Sequence, residues 1–524
     1  MPQKYLIGVD LGTSGTKAAL YQVDGRRVFA AAMEVPLHHP SPGVVEQDSE
    51  DFYSSAAQTV RECIGGSGVE PASVAAIAFD SQMAGVGLID EDFHPVARFD
   101  SWLDMRCRPY IEAMDREAGE RITQLTGCPP TCDHGPKMLW WKHEQPEVYK
   151  RAAKFVMPGT YVSGRLAGLR ADQAFIDHTY IHFSGFSDAR SGTWSDELCG
   201  RFGLDPQKLP RIVAPTEIIG EVLEGPGAEF GLAPGTIIAA GAGDTAANAL
   251  GAGIVRAGML FDVAGTASVL AGCTDRFVAD TRNRALMTMR SVIPGLWNPL
   301  AYIGGGGIAL RWFRDNFYNA SPGSPLPPDE DTYARMIATA QGAPPGADGL
   351  LFSPHLGGRI CPSSPEMRGA WLGFSWSHTQ AHFARSILES IAYEYAYYLK
   401  ILRTLMPELE LVEARVVGGG ARSPGWNQIK ADVLAVPYQR LAGSEFGTWG
   451  TAMIAGTAAG LIPDLAGHAQ RCAVRDGDPL QPGQDAHAAY EPIVSRYIRL
   501  QHTLNAYFTS SEIEPAREWE DRSR

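Results

Sequence analysis

The stretch that most constrains this chain lies near its middle, where an apolar run, Thr236 to Ala240, passes into Gly241-Ala242-Gly243-Asp244-Thr245-Ala246-Ala247-Asn248. The run reads as a buried strand, and the small residues that follow, on to Gly253, suit a helix packed closely on its neighbours. The first charge after the strand is Asp244. A carboxylate at the end of a buried strand, facing a crevice, is where an α/β protein keeps its chemistry. Capping of the following helix is the alternative role, since Asp is favoured there. This stretch alone leaves the two readings open.

A second strand end of the same kind opens the chain. Tyr5 to Val9 is apolar and is closed by Asp10-Leu11-Gly12-Thr13-Ser14-Gly15-Thr16-Lys17. Ala18 to Val23 reads as the next strand, Asp24-Gly25 as a tight turn and Val28 to Val35 as a third strand. This β-meander excludes a Walker loop, which needs Gly-Lys-Ser/Thr opening a helix. A hairpin tip of small residues and hydroxyls still turns several amides towards one anion. Asp10 at the strand end is placed to hold Mg²⁺ through water. In the second half, Met259 to Val263 is followed by Ala264-Gly265-Thr266-Ala267-Ser268 and then Val269-Leu270, a faint internal repeat of the first hairpin. Two such hairpins could grip a polyphosphate from two sides.

Further along, Asp48 and Ser49 cap a helix with Phe52, Ala56, Val60 and Ile64 on one face. Val74 to Phe79 reads as a strand ending in Asp80-Ser81-Gln82-Met83-Ala84-Gly85. Trp102-Leu103-Asp104-Met105-Arg106 mixes a ring, a carboxylate and a guanidinium, a set that suits a sugar; a structural Asp104–Arg106 ion pair accounts for it equally well. His178 with His182, and His378 with His382, have metal-like spacing, yet neither carries the Glu of a zinc motif. Asn319 to Asp331 reads as an exposed loop. Thr379 opens a long helix with Phe383, Ile387, Ile391, Tyr395 and Leu402 as its core stripe. Arg415 to Val417 is a strand running into Gly418-Gly419-Gly420-Ala421-Arg422, with Ser423-Pro424 opening a helix. That bend lets a flat base or a phosphate approach the backbone. Thr448 to Gly460 is a helix of small residues suited to tight packing.

With 524 residues the chain is too long for one core, and two large domains are expected. Its net charge of −14 argues against a nucleic-acid footprint or a basic membrane face. No apolar run approaches a membrane span. The 8 cysteines include no Cys-x-x-Cys pair, and without a secretory leader they are expected as reduced thiols in a cytoplasm.

Taken together, Asp10 to Lys17, Gln82 to Gly85, Trp102 to Arg106, Gly241 to Asp244, Gly265-Thr266 and Gly418 to Ser423 resemble the FGGY carbohydrate kinases, and within them most nearly the xylulokinases. Gly369-Ala370-Trp371-Leu372-Gly373, with His382, Ser386 and Glu389, resembles that family's C-terminal signature. The likeness spans roughly residues 5 to 500 in order. It implies an α/β fold of two actin-like ATPase (ribonuclease H-like) domains, each a mixed five-stranded sheet flanked by helices, with ATP in the interdomain cleft. The expected division is 1–253 and 254–505, followed by a charged tail at 506–524. The resemblance implies Asp244 as general base, and Asp10 and Asp244 at Mg²⁺. Gly12, Thr13, Ser14, Lys17, Gly265, Thr266, Gly419, Gly420, Ala421 and Asn427 would lie at ATP. Gln82, Met83, Trp102, Asp104, Arg106 and Asp244 would lie at the acceptor. The expected ligands are ATP and a sugar or polyol, with no nucleic acid and no membrane, and a homodimer left open. Three departures bear on the sugar. The histidine that follows Gln-Met in xylulokinases is Ala84, their Trp-Asn-Asp-x-Arg has Leu103 as its second residue, and their Gly-Glu-Arg-Thr-Pro stands as Gly358-Arg359-Ile360-Cys361-Pro362. Because polar contacts decide selectivity, D-xylulose leads among the expected acceptors, other ketopentoses, tetritols and similar polyols stay open, and the alternative class is a non-kinase actin- or chaperone-like ATPase.

Overall fold

Strand β1 (Tyr5–Leu11) buries Leu6, Ile7, Val9 and Leu11 completely, so side chains on both faces leave solvent, as in the middle of a covered sheet. The structure, a computed structural model, describes residues 3–318 and 330–510. After β1 the Gly12 amide donates to the Gly15 carbonyl at 3.0 Å, closing the turn. Strand β2 (Gly15–Gln22) then returns antiparallel with Lys17 opposite Asp10. Gly25, at φ +96°, makes the next turn into β3 (Arg27–Glu34) at the sheet edge. Helix α1 (Ser49–Ser67) is capped by the Asp48 carboxylate, which accepts from the Glu50 amide, and it buries Phe52, Ala56, Val60 and Ile64. Strand β4 (Val74–Ser81) runs parallel to β1 with Asp80 level with Asp10.

Helical segments and short strand pairs fill much of the chain up to β5 (Ile218–Glu221) and β6 (Ile237–Ala239). A two-residue strand, β7 (Ala242–Gly243), then lies beside β4 and leads directly into α2 (Asp244–Gly251). The sheet has seven strands, in order β5-β6-β4-β1-β2-β3 with β7 against β4. The expected five are β6, β4, β1, β2 and β3. The two extra strands have only four and two residues, too short to carry a readable alternation.

The second sheet repeats this plan. Strands β8 (Met259–Ala264) and β9 (Ser268–Gly272) form an antiparallel hairpin, β10 (Met287–Arg290) and β11 (Trp297–Ile303) extend it, and β12 (Glu413–Val417) and β13 (Tyr438–Arg440) add in parallel. The order is β10-β11-β9-β8-β12-β13, six strands. Without the edge strand β10 it matches the first sheet's five position by position, so the short recurrence of Gly-Thr marks a repeat of topology. Helix α3 (Gly306–Phe313) follows β11, and α4 (Gln380–Leu405) buries Ile387, Ile391, Tyr395 and Leu402. Under it the Tyr395 hydroxyl (2.7 Å) and the Lys430 ammonium (2.6 Å) both donate to Asp262, wholly out of solvent.

Helix α5 (Pro424–Leu434) starts as its sequence indicates: the Ser423 hydroxyl accepts from the Trp426 amide at 3.2 Å, and Pro424 takes the first turn. Replacing Ser423 by Ala is expected to lower stability by about 1 kcal/mol, read from urea unfolding with an unchanged slope.

Helix α6 (Phe446–Ala458) leaves the second half of the chain and packs on β1 and β4 of the first sheet and on α2. Its small residues permit that approach. A Cβ on Gly450 would stand 2.0 Å from the Ala247 carbonyl oxygen, and one on Gly8 only 1.9 Å from that of Thr448. Residues 319–329 of the expected loop lie outside the described residues, and Glu330 already opens a helix, Glu330–Gln341. The last helix, α7 (Gln484–Thr509), runs past residue 506; residues 511–524 lie outside the described residues.

Candidate active site

The first sheet's parallel strands end together on one side, and their last residues carry three carboxylates. Asp10 on β1 pairs in register with Asp80 on β4, and Asp80 pairs in register with Ala242 on β7, two residues before Asp244. Gly241, at φ +83°, makes the bend that brings β7 in; a Cβ there would lie 1.8 Å from the Phe79 carbonyl oxygen. The hydroxyl of Tyr180 donates to the backbone carbonyls of Ser81 and Ala242, both at 3.0 Å, and the Thr179 hydroxyl accepts from the Gly243 amide at 2.8 Å. These contacts fix the backbone immediately before Asp244.

Asp244 occupies the first turn of α2. The residue in the capping position is Gly243, and no side-chain cap bond is made. The Asp244 carboxylate accepts from the amide and hydroxyl of Thr245 and stays partly open to solvent. Burial first, and the charge of Asp10 second, push its pKa up to about 7. Asp10 is raised by burial, against the pull of Lys17 and a hydrogen bond with Asp80. Asp80 is fully buried, and burial and the Asp10 charge hold it well above the carboxylate range. One Asp80 oxygen accepts from the hydroxyl of Thr451 on α6, and the carboxyl also hydrogen-bonds with Asp10. A residue from the far end of the chain thus supports the acidic group. Replacing Thr451 by Val removes the donor to that buried oxygen and is expected to cost about 1–3 kcal/mol in a denaturant melt.

Towards the first hairpin, a chain of side chains joins the expected acceptor residues to the expected phosphate turn. The Gln82 amide donates to Gln47 at 2.6 Å, and Gln47 donates to the Thr13 carbonyl at 3.0 Å. The Trp102 indole donates to the Thr13 hydroxyl at 2.8 Å. Ser14 accepts from the Val35 amide through its carbonyl. Met83 packs its thioether on Gly243, where a Cβ would come within 2.7 Å. Lys17 is exposed and lies 3.9 Å from Glu445, which precedes α6.

Asp104 and Arg106 take the ion-pair alternative. Asp104 is fully buried, with both oxygens engaged by Arg106 and one also by the Val45 amide. The Arg106 guanidinium meets Glu46 at 2.7 Å, Asp104 at 2.7 Å and Asp100 at 3.3 Å, and it lies over the Trp140 ring. The Asp104 carboxylate thereby ties down the loop that carries Trp102.

On the second sheet, the Gly265 amide donates to the Ala267 carbonyl, and the start of α3 closes on the turn through Gly307 and Ile308 amides to the Gly265 and Thr266 carbonyls. The buried Ser268 hydroxyl has no partner among the described residues. Gly418, at φ +87°, leaves β12, and Gly420 packs on Trp426 and Ala264, whereas the α-carbon of Gly419 faces open space. The Asn427 amide donates to the Ala421 carbonyl at 2.9 Å, while its Oδ1 is buried without a partner among the described residues. Two glycine turns and a glycine bend thus lie at the ends of parallel strands, and on the second sheet Ser268 Oγ and Asn427 Oδ1 are buried there without a partner among the described residues.

Sequence comparison gives this arrangement its family. The model of the FGGY carbohydrate kinase N-terminal domain matches residues 5–251, and that of the C-terminal domain matches 263–459. The chain belongs to the FGGY family of carbohydrate kinases. It is a sugar kinase, and the family implies ATP as its phosphate donor. Among FGGY relatives, the xylulose kinase of Bacillus subtilis (strain 168) is 26% identical over 505 residues, covering 94% of this chain and 96% of that protein. The gluconokinase of the same organism is 28% identical over 440 residues, covering 82% and 83%. Of solved FGGY structures, xylulose kinase from Rhodospirillum rubrum superposes with TM-score 0.86 at 26% identity over 97% of this chain and all of that one. Gluconate kinase from Lactobacillus acidophilus superposes with TM-score 0.88 at 24% identity over 97% and 99%. The two-domain FGGY fold is thus the fold of this chain.

Gln47, Asp80, Tyr180 and Thr451 are the residues of this FGGY site that sequence reasoning missed. Each acts through a partner 35 to 371 positions away, and a local pattern marks only Asp80, the first charge after a buried strand. The signature residues of the C-terminal half are structural here: Ser386 accepts from the Trp371 indole, and Glu389 accepts from Arg385, Tyr393 and Tyr490. His382 binds Asp348 and the Thr379 amide, and His182 is buried with neither ring nitrogen partnered among the described residues.

Proposed function

We propose that this FGGY kinase transfers the γ-phosphoryl group of ATP to a hydroxyl of a ketopentose such as D-xylulose, with Asp244 as general base. The observation that carries the reading is the Asp244 carboxylate at a strand end, lifted to about 7 by burial and by Asp10. A base poised near the working pH is ionised enough to act and basic enough to take a hydroxyl proton. The amides of Thr13 and Ser14, in the turn closed at Gly12, would face the phosphates from one sheet, and that of Thr266, beside Gly265, from the other. Lys17 would add charge at the rim. Adenosine would rest against Gly419, Gly420 and Ala421, with the unpaired Asn427 Oδ1 as an acceptor for it. Gln82, Met83 and Trp102 would hold the sugar, with Asp104 and Arg106 ordering the loop beneath them. The division at residues 253 and 254 puts one glycine turn in each half, so closure of the halves would exclude water from the transfer.

Magnesium fits the same carboxylates. Among the described residues no group of three or more side chains forms a complete metal cage. Mg²⁺ needs none, since it is held by one or two carboxylates together with substrate phosphates. Asp10, with Asp244, would hold it, and a cation there would offset the Asp10 charge that, after burial, raises the Asp244 pKa. Bound there, Mg²⁺ supplies neutralisation of charge on the phosphate oxygens.

The relatives include kinases named for both xylulose and gluconate. A neutral acceptor fits better here. Of the cations around the Trp102 loop, Arg106 is committed to three carboxylates and Lys137 is buried against the carbonyl and sulfur of Cys132. Neither is free to pair with a sugar acid. Coupled ADP release with D-xylulose, other ketopentoses, tetritols and gluconate tests this. Turnover dependent on one ketose or polyol supports the reading. Turnover with gluconate alone overturns the neutral acceptor, and turnover without any sugar overturns the kinase mechanism.

A further inference from the structure

We propose that Cys132 is a reactive thiol open to oxidation by a hydroperoxide, with Cys107 as its resolving partner. All 8 cysteines are free, and six of them are buried. Cys132 and Cys472 alone are partly exposed, and their surroundings differ. The Cys132 sulfur lies 3.8 Å from that of Cys107, 3.1 Å from the ammonium of the fully buried Lys137 and 2.8 Å from the Asp104 carbonyl oxygen. The carbonyl holds the thiol proton in the resting state. Once that proton leaves, the sulfur has a thiol and an ammonium aimed at it, the setting that makes a cysteine nucleophilic. The Cys107 hydrogen bond first, and Lys137 after it, lower the Cys132 pKa, whereas burial raises that of Cys472. Two sulfurs at this separation need to close by only about 2 Å to bond.

The chemistry balances with the peroxide as oxidant. The Cys132 thiolate attacks one peroxide oxygen, the O–O bond breaks, and the other oxygen leaves with a proton as an alcohol or water. Cys132 is then a sulfenic acid. The Cys107 sulfur attacks it, the S–O bond breaks, and water departs with the Cys107 proton. The dithiol loses two electrons to the peroxide, and a dithiol reductant reverses the change. Cys132 contacts the backbone carbonyls of Asp104 (2.8 Å) and Trp102 (3.8 Å), so the new bond draws the sulfur off the loop that presents Trp102. An effect on the acceptor follows if that loop binds the sugar, and this part rests on the proposed function.

The test treats the intact kinase with hydrogen peroxide. Peptide mapping is expected to find a Cys107–Cys132 cross-link, with loss of two hydrogens by mass and full return after dithiothreitol. In untreated enzyme, iodoacetamide should label Cys132 at least about tenfold faster than Cys472. In Cys107→Ser, peroxide should leave a Cys132 sulfenic acid trapped by dimedone. Labelling of Cys132 no faster than Cys472, with no cross-link, overturns the proposal. A cross-link with a raised acceptor KM and unchanged ATP KM supports both readings. A cross-link with both KM values unchanged upholds the thiol and removes the acceptor role from the Trp102 loop.

Discussion

An Asp244→Asn enzyme is expected to fold, to bind ATP by calorimetry, and to lose at least about 10²–10⁴-fold in kcat, because it loses a general base without losing volume. Its pH behaviour identifies the cause. In the unmodified enzyme, kcat/KM should fall about tenfold per pH unit below about 7, as Asp244 takes up a proton and can no longer accept one. In Asp244→Asn that limb should vanish. Stability moves the other way. The folded pKa of Asp244 lies above the ordinary carboxylate value, so the stability linked to its protonated form is full at low pH and is lost as the pH rises through about 7. At pH 8 the native enzyme carries an ionised, confined carboxylate that Asn lacks. Asp244→Asn should therefore melt above the native enzyme at pH 8, with the gap narrowing towards pH 5. Full activity in that variant would end the assignment of the base, and a lower melting temperature at pH 8 would show that the carboxylate stabilises the fold.

The contrast between base and support also explains what could be read from the sequence. Strands β1, β2 and β3, the bend at Gly241 and the start of α5 were legible because their causes are local: apolar runs, glycines at turns, and Ser423-Pro424 at a helix start. The Gly-Thr recurrence was legible as a repeat, yet it could not tell five strands from seven or six, because β5 and β7 are too short for a period to show. At the site, Asp10 and Asp244 stood out as the first charges after buried strands. Asp80 had the same credentials and was passed over. Its meaning comes from strand register with Asp10 and from Thr451, 371 positions later. Asp104 and Arg106 show the opposite limit. Their residue types suit a sugar, but an acid and a base two positions apart in a buried loop satisfy one another first, and only coordinates reveal that Glu46 and Asp100 complete the set.

The second large effect separates the two carboxylates, Asp10 and Asp244, at the strand ends on either side of β4. Asp10→Asn keeps the shape of the site and the hydrogen-bonding capacity towards Asp80, but removes the charge proposed to hold the cation. Loss of several kcal/mol of charge stabilisation corresponds to about 10²–10³-fold in kcat. The Mg²⁺ concentration for half-maximal rate should rise with it, read by titrating the metal at fixed ATP. The decisive readout is again the acid limb. The charge of Asp10 is the second cause, after burial, of the high Asp244 pKa. Its removal should move the limb of kcat/KM from about 7 to lower pH without abolishing it, and not as far as an ordinary carboxylate, because burial remains. Asp244→Asn erases the limb and Asp10→Asn displaces it, so the pair of profiles distinguishes the group that takes the proton from the group that tunes it. A limb that stays at about 7 in Asp10→Asn would mean that burial alone sets the base. An unchanged Mg²⁺ requirement would mean that the cation is held elsewhere, and the proposed division of labour between the two strand ends would fail with it.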